Sequence, residues 1–478
     1  MDLLVIGGGM AGLSAAARVA HEGGSVVLVE RAGRPGGSAR LAGFVWTAPT
    51  LDELRRVNPD GDPELAQALW EGFAEGVAWI GSLGVECRPP VPVLGFGRGH
   101  QIDTNHYLDT CERLVRDRGG EVLTGTETRT LVTEDGVVKG AECVLPDGSV
   151  RRIDAAWTLL ATGGFQGDPV LRAEHVHDQA RDIELRANPH SRGGGLALGL
   201  AAGAAFGKKD AGFYGHLMPA GVSLSDPARF VELALYYSEH ALLFDLTGER
   251  FVDETVGDHL TAMALLERPG ARGLLVADAR VHREWISASY VEGIPGVDKF
   301  QLCHRAGARS AVAESLEEFA WMPEEWGYPG ARIRDRVEEF NSALRGGGET
   351  VPGRLLDRQP LDEPPFYVIE AAPAITFTFG GLLIDAEAHA LSADGRRTVP
   401  GLLVAGADAG GLYRRAYAGG LAPALVFGLA AARTALGRGG ETHSDTSGAA
   451  VLPGRHPSAQ LTELSSIYLS GSWHEPAS

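Results

Sequence analysis

The chain begins with unbroken apolar runs separated by glycine-rich turns. Leu3-Leu4-Val5-Ile6 is the pattern of a strand covered on both faces. Gly7-Gly8-Gly9-Met10-Ala11-Gly12 follows, and Leu13 to His21 is alanine-rich and helical in pattern. Val26-Val27-Leu28-Val29 is a second buried strand, ended by Glu30. This is a βαβ unit with G-x-G-x-x-G at its first turn and an acid 18 residues after the last glycine. Gly7 permits the tight turn, Gly9 lets backbone approach a pyrophosphate, and Gly12 lets helix and strand pack closely. The phosphates would sit at the positive end of the helix, beside Met10 and Ala11. Glu30, with Arg31 next to it, would meet the ribose.

Further along, Arg34-Pro35-Gly36-Gly37-Ser38 places paired glycines after the acid, as flavoproteins do where backbone runs beside the dinucleotide. Residues 50–90 have helical spacing, with Trp70, Phe73, Val77 and Ile80 as the expected inner face. Tyr107 to Arg118 is an amphipathic helix. Glu121 to Leu123, Thr128 to Thr133, Val137 to Val144 and Ser149 to Ile153 alternate like an antiparallel sheet, with Asp135-Gly136 and Asp147-Gly148 at hairpin turns. Trp157 to Ala161 is a buried strand ending in Thr162-Gly163-Gly164. Residues 208–365 are richer in aromatics, histidine and charge, and Trp321 and Trp326 are expected to pack inside them. The organisation expected is a first domain over 1–207 and 366–436, an inserted domain over 208–365, and a flexible tail over 437–478.

Composition narrows the function. The chain has 478 residues, 44% apolar, enough for a large core. It carries 65 glycines, about twice the usual share of ~7%. Its net charge of −19 argues against nucleic acid and anionic membrane surfaces as partners. The four cysteines form no CxxC pair, so iron–sulfur or haem attachment is not expected. Ala416 to Ala432 is uncharged but broken by glycine and proline, so no membrane span is expected. An apolar strand directly after Met1-Asp2 leaves no signal-peptide pattern, and a cytoplasmic location is the expectation.

The fingerprint, the Ala161-Thr162-Gly163-Gly164 strand end and Gly401-Leu402-Leu403-Val404-Ala405-Gly406-Ala407-Asp408 resemble a glutathione-reductase-type FAD domain. Thr247-Gly248-Glu249-Arg250-Phe251-Val252-Asp253-Glu254 resembles the G-x-R-F-V-N-E stretch of the fumarate reductase/3-ketosteroid dehydrogenase superfamily. Pro364-Pro365-Phe366-Tyr367, Gly380-Gly381-Leu382-Leu383-Ile384-Asp385 and Tyr417-Ala418-Gly419-Gly420-Leu421-Ala422-Pro423 resemble further stretches of that group. The fold class implied is α/β: a Rossmann FAD-binding domain with an inserted α+β substrate domain. The resemblance places Gly7, Gly9, Gly12 and Glu30 at the pyrophosphate and ribose. It places Gly36, Gly37 and Ser38 at the ribityl chain and flavin, and Ala161, Thr162 and Gly163 along the cofactor. Asp408 would take a ribityl hydroxyl. Gly420, Leu421 and Ala422, at a helix N-terminus, would face the flavin edge that becomes negative on reduction. Relatives that attach FAD covalently do so through a histidine near the glycine pair; here Ser38-Ala39-Arg40 stands there, so noncovalent FAD is expected.

The departures concern the substrate. The slot of the fumarate reductases' proton-donating arginine reads Gly257-Asp258-His259. Phe377-Thr378-Phe379 replaces a substrate histidine, Tyr417 a carboxylate-binding arginine, and Met218 another histidine, with His216 nearby. Without those cations a desolvated dicarboxylate has little to hold it. Tyr417 resembles the loop tyrosine of ketosteroid dehydrogenases. The expected reaction forms or reduces a C=C bond beside a carbonyl in an apolar cyclic ketone, with hydride transfer at flavin N5. Tyr417 is the first candidate acid/base; Asp258, His259, Tyr214 and His216 are candidates for the second. The alternatives are a dicarboxylate reductase, or an oxidase or isomerase on the same fold. Electrons would pass to oxygen, a quinone or a diffusible carrier.

Overall fold

The computed structural model of the protein describes residues 1–94, 96–288, 296–394 and 397–437. The tail expected beyond residue 437 lies outside them. The fold is α/β and divides into two compact units. Among the described residues the first holds Met1–Leu171, Ala187–Gly212 and 377–437; the second holds Arg172–Arg186 and Phe213–Thr376. The divisions thus fall at 212/213 and 376/377, where composition suggested 207/208 and 365/366. The long strand Phe366–Thr378 explains the difference. It pairs with Gly273–Ala277 and Ser310–Ala313, so Pro360 to Pro365 leads into the second unit's sheet. Residues 172–186 are a further excursion into that unit, with Glu184-Leu185 parallel to Ala374-Ile375.

The first unit is built on a parallel sheet. Leu3–Ile6 lies between Val26–Val29 and Trp157–Leu160, and Thr398–Val404 pairs with Trp157–Leu160. Leu3, Leu4, Val5, Leu159 and Leu160 have no exposed surface, which is why these strands are apolar without alternation. Glu121–Leu123 belongs to this sheet, parallel to Val26–Val29, and not to the antiparallel group its neighbours form. Three residues carry too little alternation to reveal which ladder they join. The antiparallel sheet itself is Glu127–Glu134, Val137–Val144 and Val150–Asp154. Asp135 and Gly136 both have positive φ, 49° and 77°, as a two-residue hairpin of the primed kind requires.

The helix Pro63–Ser82 buries Leu65, Leu69, Gly76, Trp79 and Ile80, while Trp70 is among the exposed apolar residues. Of the expected inner face, Ile80 is buried and Phe73 and Val77 are half-buried, while Trp70 turns outward. The helix's contact with the helix Leu421–Ala435 runs through glycines, not large side chains. A Cβ on Gly72 would lie 2.6 Å from Val426 Cγ1, and one on Gly76 2.8 Å from Leu425 Cδ2.

In the second unit, Phe366–Thr378 carries the sheet, flanked by Gly273–Ala277, Leu242–Asp245, Phe213–Pro219 and Ser310–Ala313. Leu242, Phe244, Leu274, Val276, Ile333, Val337 and Phe340 form a core beneath it. Trp326 packs against this core, but Trp321 is 78% exposed. The Arg250–Glu254 stretch has a structural role. Glu254 is fully buried and accepts from Arg250 Nη2 at 2.6 Å, Arg354 Nη1 at 3.1 Å and the Leu243 N–H at 2.9 Å.

Candidate functional site

The fingerprint glycines divide into closed and open positions. A Cβ on Gly7 would lie 2.2 Å from the Ala161 carbonyl oxygen, and one on Gly12 1.9 Å from that of Gly7. A Cβ on Gly9 would meet nothing within 4 Å. Gly9 is the N-cap of the helix Met10–His21, and no side chain caps it. Open space, backbone N–H groups and a helix dipole converge there, so the residues present fit a dinucleotide pyrophosphate. Met10 and Ala11 begin that helix and are buried. Glu30 Oε2 accepts the Gly8 N–H at 2.8 Å and its Oε1 accepts the Ala32 N–H at 2.7 Å. Each oxygen keeps a lone pair for a ribose hydroxyl. Arg31 is exposed and donates to the His190 carbonyl.

The Gly36-Gly37 loop is tied to the same place. Gly36 N–H donates to the Gly8 carbonyl at 2.7 Å, and Ser38 Oγ accepts the Asn188 N–H at 3.3 Å. Gly36 has φ 127°, and a Cβ there would strike the Arg40 side chain at 2.3 Å. Ala161 follows the strand Trp157–Leu160, and Thr162-Gly163-Gly164 turns away from it. Asp408, 1% exposed, clamps this turn: it accepts from the Thr162 N–H, the Thr162 hydroxyl at 3.0 Å and the Gly164 N–H at 3.0 Å. Burial pushes its carboxyl upward from the ordinary range, and these bonds oppose the shift.

Tyr417 lies in an aromatic box within the first unit. Its ring is 5.2 Å from Trp46, 5.9 Å from Phe377, 6.4 Å from Phe379 and 6.1 Å from Tyr413, centroid to centroid. The loop that carries it is pinned at both ends. Arg415, at φ 50°, donates its N–H to the Ala211 carbonyl at 2.7 Å, and Tyr413 donates its hydroxyl to the Gly419 carbonyl at 2.8 Å. Gly419 must be glycine, because a Cβ there would lie 2.0 Å from the Trp46 carbonyl oxygen. Gly420 then caps the helix Leu421–Ala435, again with no side-chain cap, and Leu421 and Ala422 form its first turn.

The other candidates come together in the second unit. His216 is in the strand Phe213–Pro219, and Asp258 and His259 open the helix Asp258–Leu266. His216 Nδ1 is 2.6 Å from Asp258 Oδ2, and all three side chains are buried. Tyr214 stands edge-on to the His216 ring at 5.0 Å and tilted to His259 at 6.2 Å. Tyr236 also stands edge-on to His216, at 5.3 Å, and Arg186 Nη2 donates to the Tyr236 hydroxyl at 3.3 Å. Burial lowers His216, with Asp258 opposing and the Arg186 charge assisting. Burial also takes His259 down to about 4, so it is neutral near pH 7. The sequence offered no sign of Glu239. Its segment, Tyr236 to His240, has neither periodicity nor motif, yet burial and the nearby Asp258 charge push its carboxyl up to about 8.

Comparison with known proteins places the chain in a family. The chain is 26% identical over 473 residues to a fumarate reductase (cytochrome) of Shewanella frigidimarina, covering 91% of this chain and 77% of that one. It is 24% identical over 460 residues to vinyl phenol reductase of Lactiplantibacillus plantarum, covering 87% and 91%. Its fold is similar to that of 3-ketosteroid delta1-dehydrogenase from Sterolibacterium denitrificans, solved with 1,4-androstadiene-3,17-dione. That match has a TM-score of 0.73 at 18% identity and covers 91% of this chain and 99% of that one. Among the described residues no helix is long and apolar enough to cross a membrane. The FAD binding domain family matches residues 2–421, over the fingerprint, the Asp408 clamp and the Tyr417 loop, and the chain belongs to that family.

Proposed function

We propose that this FAD-dependent oxidoreductase forms or reduces a C=C bond beside a carbonyl in an apolar cyclic ketone, a steroid-like or natural-product intermediate. The observation that carries the reading is the aromatic box of Trp46, Phe377, Phe379 and Tyr413 around the Tyr417 phenol. Such a box favours a flat apolar ring system and offers it one hydroxyl. The Tyr417 hydroxyl binds the carbonyl oxygen and so acidifies the neighbouring C–H. His216 and Asp258, 2.6 Å apart in the second unit, are an acid–base pair of the kind that moves such a proton, with Asp258 stabilising the imidazolium. His259, neutral near pH 7, is a packing neighbour of Tyr214. FAD, when bound, supplies hydride transfer to or from the β carbon. Gly7, Gly9, Gly12 and Glu30 would hold its pyrophosphate and ribose, and the N-terminus of the Leu421–Ala435 helix, with no side-chain cap, would serve the flavin. Ser38 and Arg40 beside the glycine pair offer no histidine for attachment, so FAD is held noncovalently.

A dicarboxylate substrate is the second reading. The observation that favours it is Arg186, a guanidinium 5% exposed in the unit that holds His216. One experiment separates them. Anaerobic mixing of the reduced and oxidised protein with cyclic enones, cyclic ketones, fumarate and succinate should change flavin absorbance with the ketone pair alone. A response to fumarate alone would replace the first reading by the second. Acid or heat should release free FAD; colour that stays with the polypeptide would refute noncovalent binding.

A further inference from the structure

The aromatic box around Tyr417, which lies wholly in the first unit, is closed. Trp46, Phe379, Tyr413 and Tyr417 are buried, and of the five rings only Phe377 is half-buried. A Cβ on Gly420 would lie 3.0 Å from Phe377 Cε1 and 3.8 Å from the Tyr417 hydroxyl oxygen. The edge of the Phe377 ring thus lies against Gly420, beside the hydroxyl that a substrate carbonyl must reach. A flat ring system enters only if one of the walls gives way. Trp46 fills the space that two glycines leave: a Cβ on Gly97 would strike its ring at 2.5 Å, and one on Gly99 its own Cβ at 2.1 Å. Tyr413 is tied by its hydroxyl to the Gly419 carbonyl. Phe379 is stacked on Tyr417, stands edge-on to Tyr413 at 5.6 Å and donates its N–H to the Gly212 carbonyl at 3.1 Å. Phe377 is the wall with exposed surface into which its ring can turn.

The residue after Phe377 supplies an independent observation. Thr378 is 1% exposed, and its Oγ1 has no hydrogen-bond partner among the described residues. Gln166, also 1% exposed, donates its Nε2 to the Gly163 carbonyl at 2.9 Å, while its Oε1 has no partner among them either. The two oxygens flank one face of Gly164: a Cβ there would lie 2.9 Å from Gln166 Oε1 and 3.1 Å from Thr378 Oγ1. Both atoms are sealed within the protein. Buried polar atoms are nearly always paired, because an unpaired one costs free energy. Here a hydroxyl that can donate and an amide oxygen that can accept stand close by, unbonded, and a small shift of the Thr378 strand would join them.

We propose that Phe377 admits substrate to the box and sets its size, and that residues 377–379 have a second position in which the Thr378 hydroxyl donates to Gln166 Oε1. In the first position the Phe377 ring lies against Gly420 and the box is shut. In the second the ring has turned away from Gly420, and the new hydrogen bond offsets the aromatic contact that is lost. A single-ring ketone needs little of this movement, and a steroid-sized one needs all of it. No covalent bond changes. The proposal rests on the reading of the box as the substrate site. Phe377 determines specificity, and Thr378 and Gln166 act through it as positioning residues.

The test uses the full chain with FAD bound. Without substrate, amide hydrogen exchange in peptides spanning 377–379, followed by mass spectrometry, should slow about fivefold in Thr378→Val, the factor that one such hydrogen bond carries. Thr378→Ser keeps the hydroxyl and should exchange as the wild type does. The urea midpoint of Thr378→Val should not fall, because the shut box does not use the hydroxyl. With the flavin reduced anaerobically, reoxidation by cyclohexenone and by androstadienedione compares a one-ring with a four-ring enone. Phe377→Ala should raise the androstadienedione rate relative to the cyclohexenone rate at least fivefold. Thr378→Val should slow androstadienedione at low concentration and leave its saturated rate in place. Unchanged exchange in Thr378→Val, or a midpoint that falls, overturns the proposal, as does an unchanged ratio of rates in Phe377→Ala. If neither enone reoxidises the flavin, the ketone reading fails, and exchange and midpoint then decide the second position without turnover. Gln166→Leu carries the same measurements if Thr378→Val does not fold.

Discussion

His216 Nδ1 lies 2.6 Å from Asp258 Oδ2, and the two side chains come from a strand and a helix start 42 residues apart in the chain. In the proposed reaction the pair works as a base only while Asp258 stabilises the imidazolium. Asp258→Asn keeps the shape and removes the charge. The flavin bleaching rate should fall at least tenfold, within the ~10²–10⁴-fold range of general acid–base groups, with FAD retained. A variant at the wild-type rate would show that the pair is not the base.

Tyr417 offers a cleaner separation of chemistry from packing. Its ring touches four aromatic neighbours, and phenylalanine preserves all of that contact. Tyr417→Phe should keep FAD and thermal stability and lose more than tenfold in bleaching rate. A loss below tenfold would leave the phenol without an acid's role.

His259 predicts a dependence of stability on pH. Its folded value is about 4, below the ordinary 6.5 of the unfolded chain. The unfolded state therefore binds more protons between those values, and stability falls as pH drops from about 6.5 toward 4. His259→Asn removes this contribution. The gap in unfolding free energy between wild type and variant should narrow on acidification, as measured by urea unfolding at pH 7 and pH 4.5. A constant gap would contradict the buried neutral imidazole.

Glu254 neutralises two buried guanidinium groups, Arg250 and Arg354, which are 8% and 2% exposed. Removing one member of such a set leaves uncompensated charge and costs about 3–5 kcal/mol. Glu254→Ala should lose about that much in denaturant unfolding. An undiminished midpoint would mean that water reaches the two arginines.

Much of the first unit was legible because its signals are local. Four consecutive apolar residues, a glycine turn and an alanine-rich helix specify a βαβ unit, and Leu3–Ile6, Met10–His21 and Val26–Val29 form one. Where partners are distant in sequence, the pattern is silent. Trp70 faces outward because Gly72 and Gly76 make the helix contact, and glycine carries no hydrophobic signal. Trp321 is exposed although its neighbour Phe319 is in the core. The excursion of residues 172–186 depends on a pairing with Ala374-Ile375. Around the site, residue types pointed to His216, Asp258 and His259, but their contact depends on tertiary structure. Glu239 was invisible because its chemistry comes from burial and a neighbour, not from its sequence.

The first unit's sheet is assembled from both ends of the described chain. Trp157–Leu160 pairs with Thr398–Val404, and the whole second unit is encoded between them. During synthesis on the ribosome, the edge of Trp157–Leu160, apolar but for Thr158, must therefore wait unpaired until Thr398–Val404 emerges. Such an edge invites pairing with other chains. Fragments that stop before residue 398 should accumulate as aggregates. Chaperone supply during expression should govern yield of the full chain more than the stability of the finished protein does.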